Sequence, residues 1–70
     1  MERIDNVSWA INNFFEYFDD AKEWVKICGL EKAIDMFNRS AWVIINCELF
    51  DESERRGLVT LKDSLERRIA

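Results

Sequence analysis

Apolar side chains recur at alternating steps of three and four residues through the first part of the chain, and this spacing constrains the fold more than any other feature. The row consists of Ile4, Val7, Ile11, Phe14, Phe18, Ala21, Val25 and Cys28. A helix turns by about 100° per residue, so such a row lies along one helical face. The sequence therefore predicts a helix over residues 4–28, with Asp5 as its N-cap and Gly29 as its stop.

One point in this row offers an alternative. Asp20 and Glu23 have the spacing of a capping box, which would begin a new helix near Asp19 and Asp20 and give four helices instead of three. The apolar row continues through this point without interruption. We therefore expect a single helix that extends to Cys28.

The second segment, residues 30–50, is apolar on most of its sides. In its last part, Ala41 to Phe50, eight of ten residues are apolar. The run Val43 to Ile45 is β-branched and favours a strand, but the helical pattern begins before it and no partner strand is evident. We predict a central helix over residues 30–50. Glu48 lies on its apolar face, either at the rim of the bundle, which we favour, or paired with an arginine from another helix or subunit.

A third helix is predicted over residues 52–69. Asp51 and Glu54 have capping-box spacing, and the short connection at Asp51 predicts an antiparallel hairpin of helices two and three. The apolar stripe is narrow and consists of Leu58, Leu61, Leu65 and Ile69. Two acid-to-base pairs at i,i+4 are expected to strengthen this helix, namely Glu52–Arg56 and Asp63–Arg67.

The size of the chain limits how much apolar surface it can cover. Its 70 residues, 49% of them hydrophobic, predict one all-α domain over residues 1–70. A chain this short buries only about 60% of its unfolded surface. We therefore expect homodimerisation to complete the bundle. The residues predicted to contact the second copy are large and apolar: Phe14, Phe18, Trp24, Trp42, Val43 and Phe50.

The charge of the chain is acidic and unevenly distributed. The net charge is −4, and residues 1–28 hold six acidic residues against three basic ones. This distribution argues against a general nucleic-acid binder, which carries a basic stripe. A candidate partner-binding face on the first helix comprises Trp9, Glu16, Asp19, Asp20 and Glu23. The alternatives are a merely solvated acidic face and a Trp9 that is covered by the third helix.

Several kinds of chemistry are excluded by composition. The chain has no histidine, its two cysteines, Cys28 and Cys47, form no CxxC pair, and no glycine-rich phosphate loop is present. We therefore expect no enzyme activity, no metal and no cofactor. We interpret both cysteines as reduced, although their spacing leaves a disulfide open. No apolar run approaches the ~20 residues of a membrane span, and no signal sequence is seen. We expect a cytoplasmic protein without membrane contact.

Two classes of function fit these observations. The first is a small non-catalytic helical protein–protein interaction module, such as an adaptor, inhibitor or regulator; phage- or plasmid-encoded modulators are one population of such chains. The alternative is a dimeric transcription-linked protein that contacts DNA, because the turn at Asp51 precedes a helix with five basic residues. The interspersed acids Glu52, Asp63 and Glu66 weaken this alternative, because they oppose the basic residues.

Overall fold

Three helices make up nearly all of the structure. The computed structural model describes residues 5–70, so the predicted start at Ile4 lies outside the described residues. The helices are α1 (Asn6–Cys28), α2 (Leu30–Ile45) and α3 (Glu52–Ile69). Residues 5–70 contain no strand, which confirms the prediction of an all-helical bundle. None of these helices combines the length and apolar character needed to cross a bilayer.

The predicted N-cap and the predicted stop of α1 are both confirmed. The Asp5 carboxylate accepts a hydrogen bond of 2.7 Å from the backbone N–H of Ser8. At the other end, Gly29 has φ 92° and donates its N–H to the carbonyl of Val25 at 3.1 Å. Glycine adopts this positive φ without the steric cost that a Cβ would impose. The helix continues through Asp19 and Asp20 without a break, so the four-helix alternative is wrong.

The predicted end of α2 is also wrong, because the helix stops at Ile45 and not at residue 50. Hydrogen bonds tighten the last turn, where the N–H of Cys47 reaches the carbonyl of Ile44 at 3.2 Å. Continued as a helix, residues 46–50 would place Glu48 on the buried side and Phe50 on the solvent side, given about 100° per residue. Because the chain leaves the helix after Ile45, Glu48 is exposed and Phe50 is buried. The fold thereby avoids an unpaired buried carboxylate.

A complete capping box begins α3. The Asp51 carboxylate accepts from the N–H of Glu54 at 2.8 Å, and the Glu54 carboxylate accepts from the N–H of Asp51 at 3.0 Å. The predicted Glu52–Arg56 ion pair is present at 3.1 Å. The Asp63–Arg67 pair is not formed among the described residues; Asp63 binds Lys62 at 2.9 Å instead.

The buried side chains form one cluster to which all three helices contribute. Its largest fully buried members are Phe14, Phe37, Ile45 and Leu58. Every pair of helices is in contact, and α1 and α2 share the most extensive contact. The bundle therefore closes around a single core, and each helix keeps one outer side exposed.

The two glycines give opposite stability predictions for the same substitution. Gly57 lies inside α3, and a methyl group added to its Cα would meet no atom within 4 Å, so Gly57→Ala should raise the free energy of unfolding by about 0.8–1 kcal/mol. Gly29 also has open space around it, but its φ of 92° and ψ of 164° are essentially restricted to glycine. Gly29→Ala should therefore lower the free energy of unfolding by about 1–3 kcal/mol. Urea unfolding followed by circular dichroism, at one protein concentration, measures both; changes of equal sign would contradict this account.

Candidate interaction surfaces

The residues of the predicted partner-binding face are all exposed on α1. The structure leaves Trp9 43% exposed, so no helix within residues 5–70 covers it, and Glu16, Asp19, Asp20 and Glu23 are exposed as well. Ile27, which the sequence reasoning missed, is 80% exposed. It follows Trp9 by 18 residues, or five turns at 3.6 residues per turn, and therefore lies on the same side of α1. This spacing of 18 residues was the signal in the sequence that could have placed Ile27 on the predicted face.

The six residues predicted for the dimer contact differ in how far the single chain buries them. Phe14, Phe18 and Phe50 belong to the core of the single chain, so they are not available to a second copy, and the predicted contact must be revised. Trp24 is half-buried, whereas Trp42 and Val43 are exposed. Sequence periodicity placed the phenylalanines on an apolar face, but it did not show that the chain's own helices cover that face.

Contacts with α3 show how α1 is oriented. Val7 and Ile11 of α1 line an apolar groove of about 360 Å³ together with Leu58 and Leu61 of α3. This edge of α1 therefore faces α3. Tyr17 lies on the opposite edge of the buried stripe, at about 100° per residue, and this edge faces α2.

The orientation of α2 follows in the same way. The amide oxygen of Asn38 accepts a hydrogen bond of 3.0 Å from Lys62 of α3, and Trp42 and Ile45 line a groove with α3. This edge of α2 faces α3. The row that contains Met36 and Val43 lies on the other edge and borders α1.

These orientations define a surface that we call the α1–α2 face. It consists of the outward-pointing residues of both helices, which are Trp9, Glu16, Asp20, Trp24 and Ile27 of α1 and Lys32, Met36, Arg39 and Val43 of α2. The described residues have eight large hydrophobic side chains that are exposed, and this face holds four of them. Val43 alone is 74% exposed. Half of the exposed large hydrophobic side chains of the described residues therefore lie on this face.

The second surface, the α2–α3 groove, has a volume of about 590 Å³. Its apolar floor is formed by Trp42, Ile45 and Val59, and Arg55, Arg56 and Glu52 stand at its rim. Pockets that hold small molecules have about 300–1,000 Å³, so the groove has room for one or two side chains of a partner.

A charged cluster lies beside this groove. Lys62 is only 5% exposed, and its ammonium donates to Asn38 at 3.0 Å, Asp63 at 2.9 Å and Glu66 at 3.2 Å. It also lies 5.3 Å from the centroid of the Trp42 ring, a cation–π distance. Burial alone would lower the pKa of Lys62, but the hydrogen bonds and the attraction of the two carboxylates outweigh it, so the pKa is raised. The ammonium is therefore charged, and it contacts Trp42, one of the residues that line the groove.

The structure answers the open question of the disulfide. Cys28 precedes α2 and Cys47 follows it, and both thiols are free. The 16 residues of α2 span about 24 Å, far beyond the distance that a disulfide bridges. The two cysteines of one chain therefore cannot pair. Residues 5–70 hold no group of three acidic, cysteine or histidine side chains that can bind a metal ion.

Comparisons with known proteins do not assign the chain to a family. No family model, no curated protein and no solved structure matches it. The function must therefore be argued from the two surfaces themselves.

Lys62 predicts a pH dependence of stability. Its pKa in the folded chain lies above the ordinary value of 10.5, so its contribution is complete at pH values well below that ordinary value and is lost as the pH rises through the folded pKa. Lys62→Met, which keeps the aliphatic stem, should lower the free energy of unfolding by about 1–2 kcal/mol at pH 8. The difference from wild type should shrink between pH 10 and pH 12.

Denaturant unfolding at a series of pH values tests this expectation. The matched control is Arg68→Met, because Arg68 is exposed, lies on α3 outside the α1–α2 face, and forms no ion pair with a described residue. A difference between wild type and Lys62→Met that stays constant up to pH 12 would show that the charge of Lys62 does not stabilise the fold.

Proposed function

We propose that the protein is a small, non-catalytic helical module of the cytoplasm that acts by binding another protein, as an adaptor, inhibitor or regulator, and that it forms a homodimer. The observation that carries this proposal is the set of eight exposed large hydrophobic side chains on a bundle of 70 residues. Large contiguous apolar patches are rare on monomers and mark interaction sites.

We also propose that α2 and α3 are antiparallel, because this arrangement brings together the residues that line the α2–α3 groove. Contacts between the two helices support it, because residues later in α2 meet residues earlier in α3. Asn38 contacts Lys62, and Ile45 lines the groove with Arg55. The six-residue connection between Ile45 and Glu52 is of the length found in helical hairpins.

The rim of the groove indicates which partner fits. Arg56 is paired with Glu52 at 3.1 Å, whereas Arg55 has no ion pair with any of residues 5–70. A guanidinium binds a carboxylate in a two-point contact, and exposed Trp and Arg are the residues that most often anchor protein interfaces. We infer that the groove accepts an apolar side chain of the partner with a carboxylate next to it.

Contact with DNA, the alternative function, receives less support from the charges. Arg56 is offset by Glu52, and Lys62 is enclosed by Asp63 and Glu66. Arg55, Arg67 and Arg68 form no ion pair with residues 5–70, but at about 100° per residue they point in three different directions around α3. The helix therefore presents no continuous basic stripe, and we propose no nucleic-acid role. Salt-dependent binding to duplex DNA of arbitrary sequence would favour the alternative.

A charge reversal at the groove tests the proposed function. Arg55→Glu replaces the guanidinium that should bind the partner's carboxylate with a second carboxylate. The two negative charges repel each other, and we expect binding to weaken by at least about tenfold. Arg68→Glu makes the same charge change at the other end of α3, where the residue is also exposed, and it should leave binding unchanged.

The measurement is affinity capture from the native host with wild type and both variants, followed by titration of the captured protein. Circular dichroism confirms that each variant folds. The proposal fails if wild type captures no protein above background, or if Arg55→Glu and Arg68→Glu bind the captured protein equally well.

A further inference from the structure

We propose that the α1–α2 face binds the same face of a second copy, about a two-fold axis parallel to the helices. This inference rests on the proposed function as an interaction module, and it specifies one partner and the geometry of the contact. The face is the natural place for self-association because Trp9, Ile27, Met36 and Val43 are all exposed on it. Tyr17 and Trp24, which are half-buried, lie between the two helices.

The two sides of this face carry opposite charges. On α1, Glu16 and Asp20 have no basic side chain within 4 Å among residues 5–70. On α2, Lys32 likewise has no acidic partner among those residues, and Arg39 pairs only with Asp35 of its own helix, with both side chains mostly exposed. An exposed pair of this kind contributes little, so Arg39 can turn to another carboxylate.

Electrostatics distinguishes the two ways in which a two-fold axis can bring these faces together. An axis parallel to the helices places α1 of one copy over α2 of the other, so that acidic residues meet basic ones. An axis across the helices places α1 over α1, so that Glu16 and Asp20 meet their own equivalents. Like charges at a contact oppose association. The charge pattern therefore selects the axis parallel to the helices. In the resulting dimer, each contact occurs twice because the two copies are related by two-fold symmetry.

The positions along the helices also agree. Gly29 is the single residue between α1 and α2, and these helices share the most extensive contact, so we infer that the chain reverses direction there. Residues at equal sequence distance from Gly29 then lie at equal height. Asp20 is nine residues before Gly29 and Arg39 is ten residues after it. A rotation about an axis parallel to the helices preserves height, so Asp20 faces the partner subunit's Arg39 to within about 1.5 Å along the helix.

Charge reversal tests this arrangement. Asp20→Lys opposes the partner subunit's Arg39 at two equivalent contacts, and Arg39→Glu opposes the partner subunit's Asp20 in the same way. Because like charges brought together at a contact oppose association, each variant should associate at least about a hundredfold more weakly than wild type. An equimolar mixture of the two variants, or the double variant Asp20→Lys/Arg39→Glu, should recover the dimer because the pairs are restored in reversed form.

The readout is sedimentation equilibrium together with light scattering over about 1–300 µM, with circular dichroism to confirm folding. We expect wild type at twice the chain mass of 8.4 kDa, and each single variant at 8.4 kDa. Asp19→Lys is the matched control: Asp19 is the exposed neighbour of Asp20, but it points about 100° away from it. This control should remain a dimer.

Three outcomes would overturn the proposal. Wild type that remains a monomer up to the highest concentration shows that the face does not self-associate. A double variant that fails to recover the dimer shows that Asp20 and Arg39 do not meet. Recovery on mixing Asp20→Lys with wild type, rather than with Arg39→Glu, indicates the arrangement with α1 over α1. Arg55 lies on α3, outside this face, so Arg55→Glu should lose partner capture while it remains a dimer, and this distinguishes failure of the groove from failure of the dimer contact.

Discussion

Three helices of 23, 16 and 18 residues can each bury one side against the other two, and this limit determines both the core and the surfaces. A bundle of this size has one layer of core side chains, and any apolar residue outside the inward-facing stripe stays at the surface. The sequence supplies more apolar residues than the stripe can hold. Trp9, Ile27 and Val43 are exposed for this reason, and the surfaces proposed for interaction are a consequence of the geometry of the core.

At the end of α2, the burial of side chains outweighs the local preference of the sequence to continue the helix. Residues 41–50 are apolar enough to continue a helix, and no glycine or proline stops them. The chain nevertheless leaves the helix after Ile45, because one more turn would bury the carboxylate of Glu48 and expose the ring of Phe50. Burial of a large aromatic ring contributes roughly 1.5–3 kcal/mol, and an unpaired buried carboxylate costs more than a broken helical turn. The capping box at Asp51 and Glu54 then allows α3 to begin at once.

The local features of the fold could be predicted from the sequence, whereas the distribution of side chains between core and surface could not. The Asp5 and Asp51 caps, the Gly29 stop and the apolar rows each depend on a few neighbouring residues, so short-range spacing is sufficient to find them. Whether Phe14 or Val43 is covered depends on how helices far apart in sequence pack. Lys62 lies four residues after Leu58 and three before Leu65, so the spacing in α3 does place it on the buried stripe. Its contacts with Asn38 and Trp42 depend on how α2 packs against α3, and the sequence of α3 carries no signal for them.

The two proposed surfaces occupy different edges of α2, and this separation has a consequence for function. The edge with Met36 and Val43 contributes to the α1–α2 face, and the edge with Trp42 and Ile45 lines the α2–α3 groove. A dimer formed through the first edge leaves both grooves open, one on each copy and related by the two-fold axis. A partner with two suitable segments, or a partner that is itself dimeric, would then be held at two points, and its apparent affinity would exceed that of either groove alone. Self-association would in this way increase the strength of binding without adding any contact to the groove.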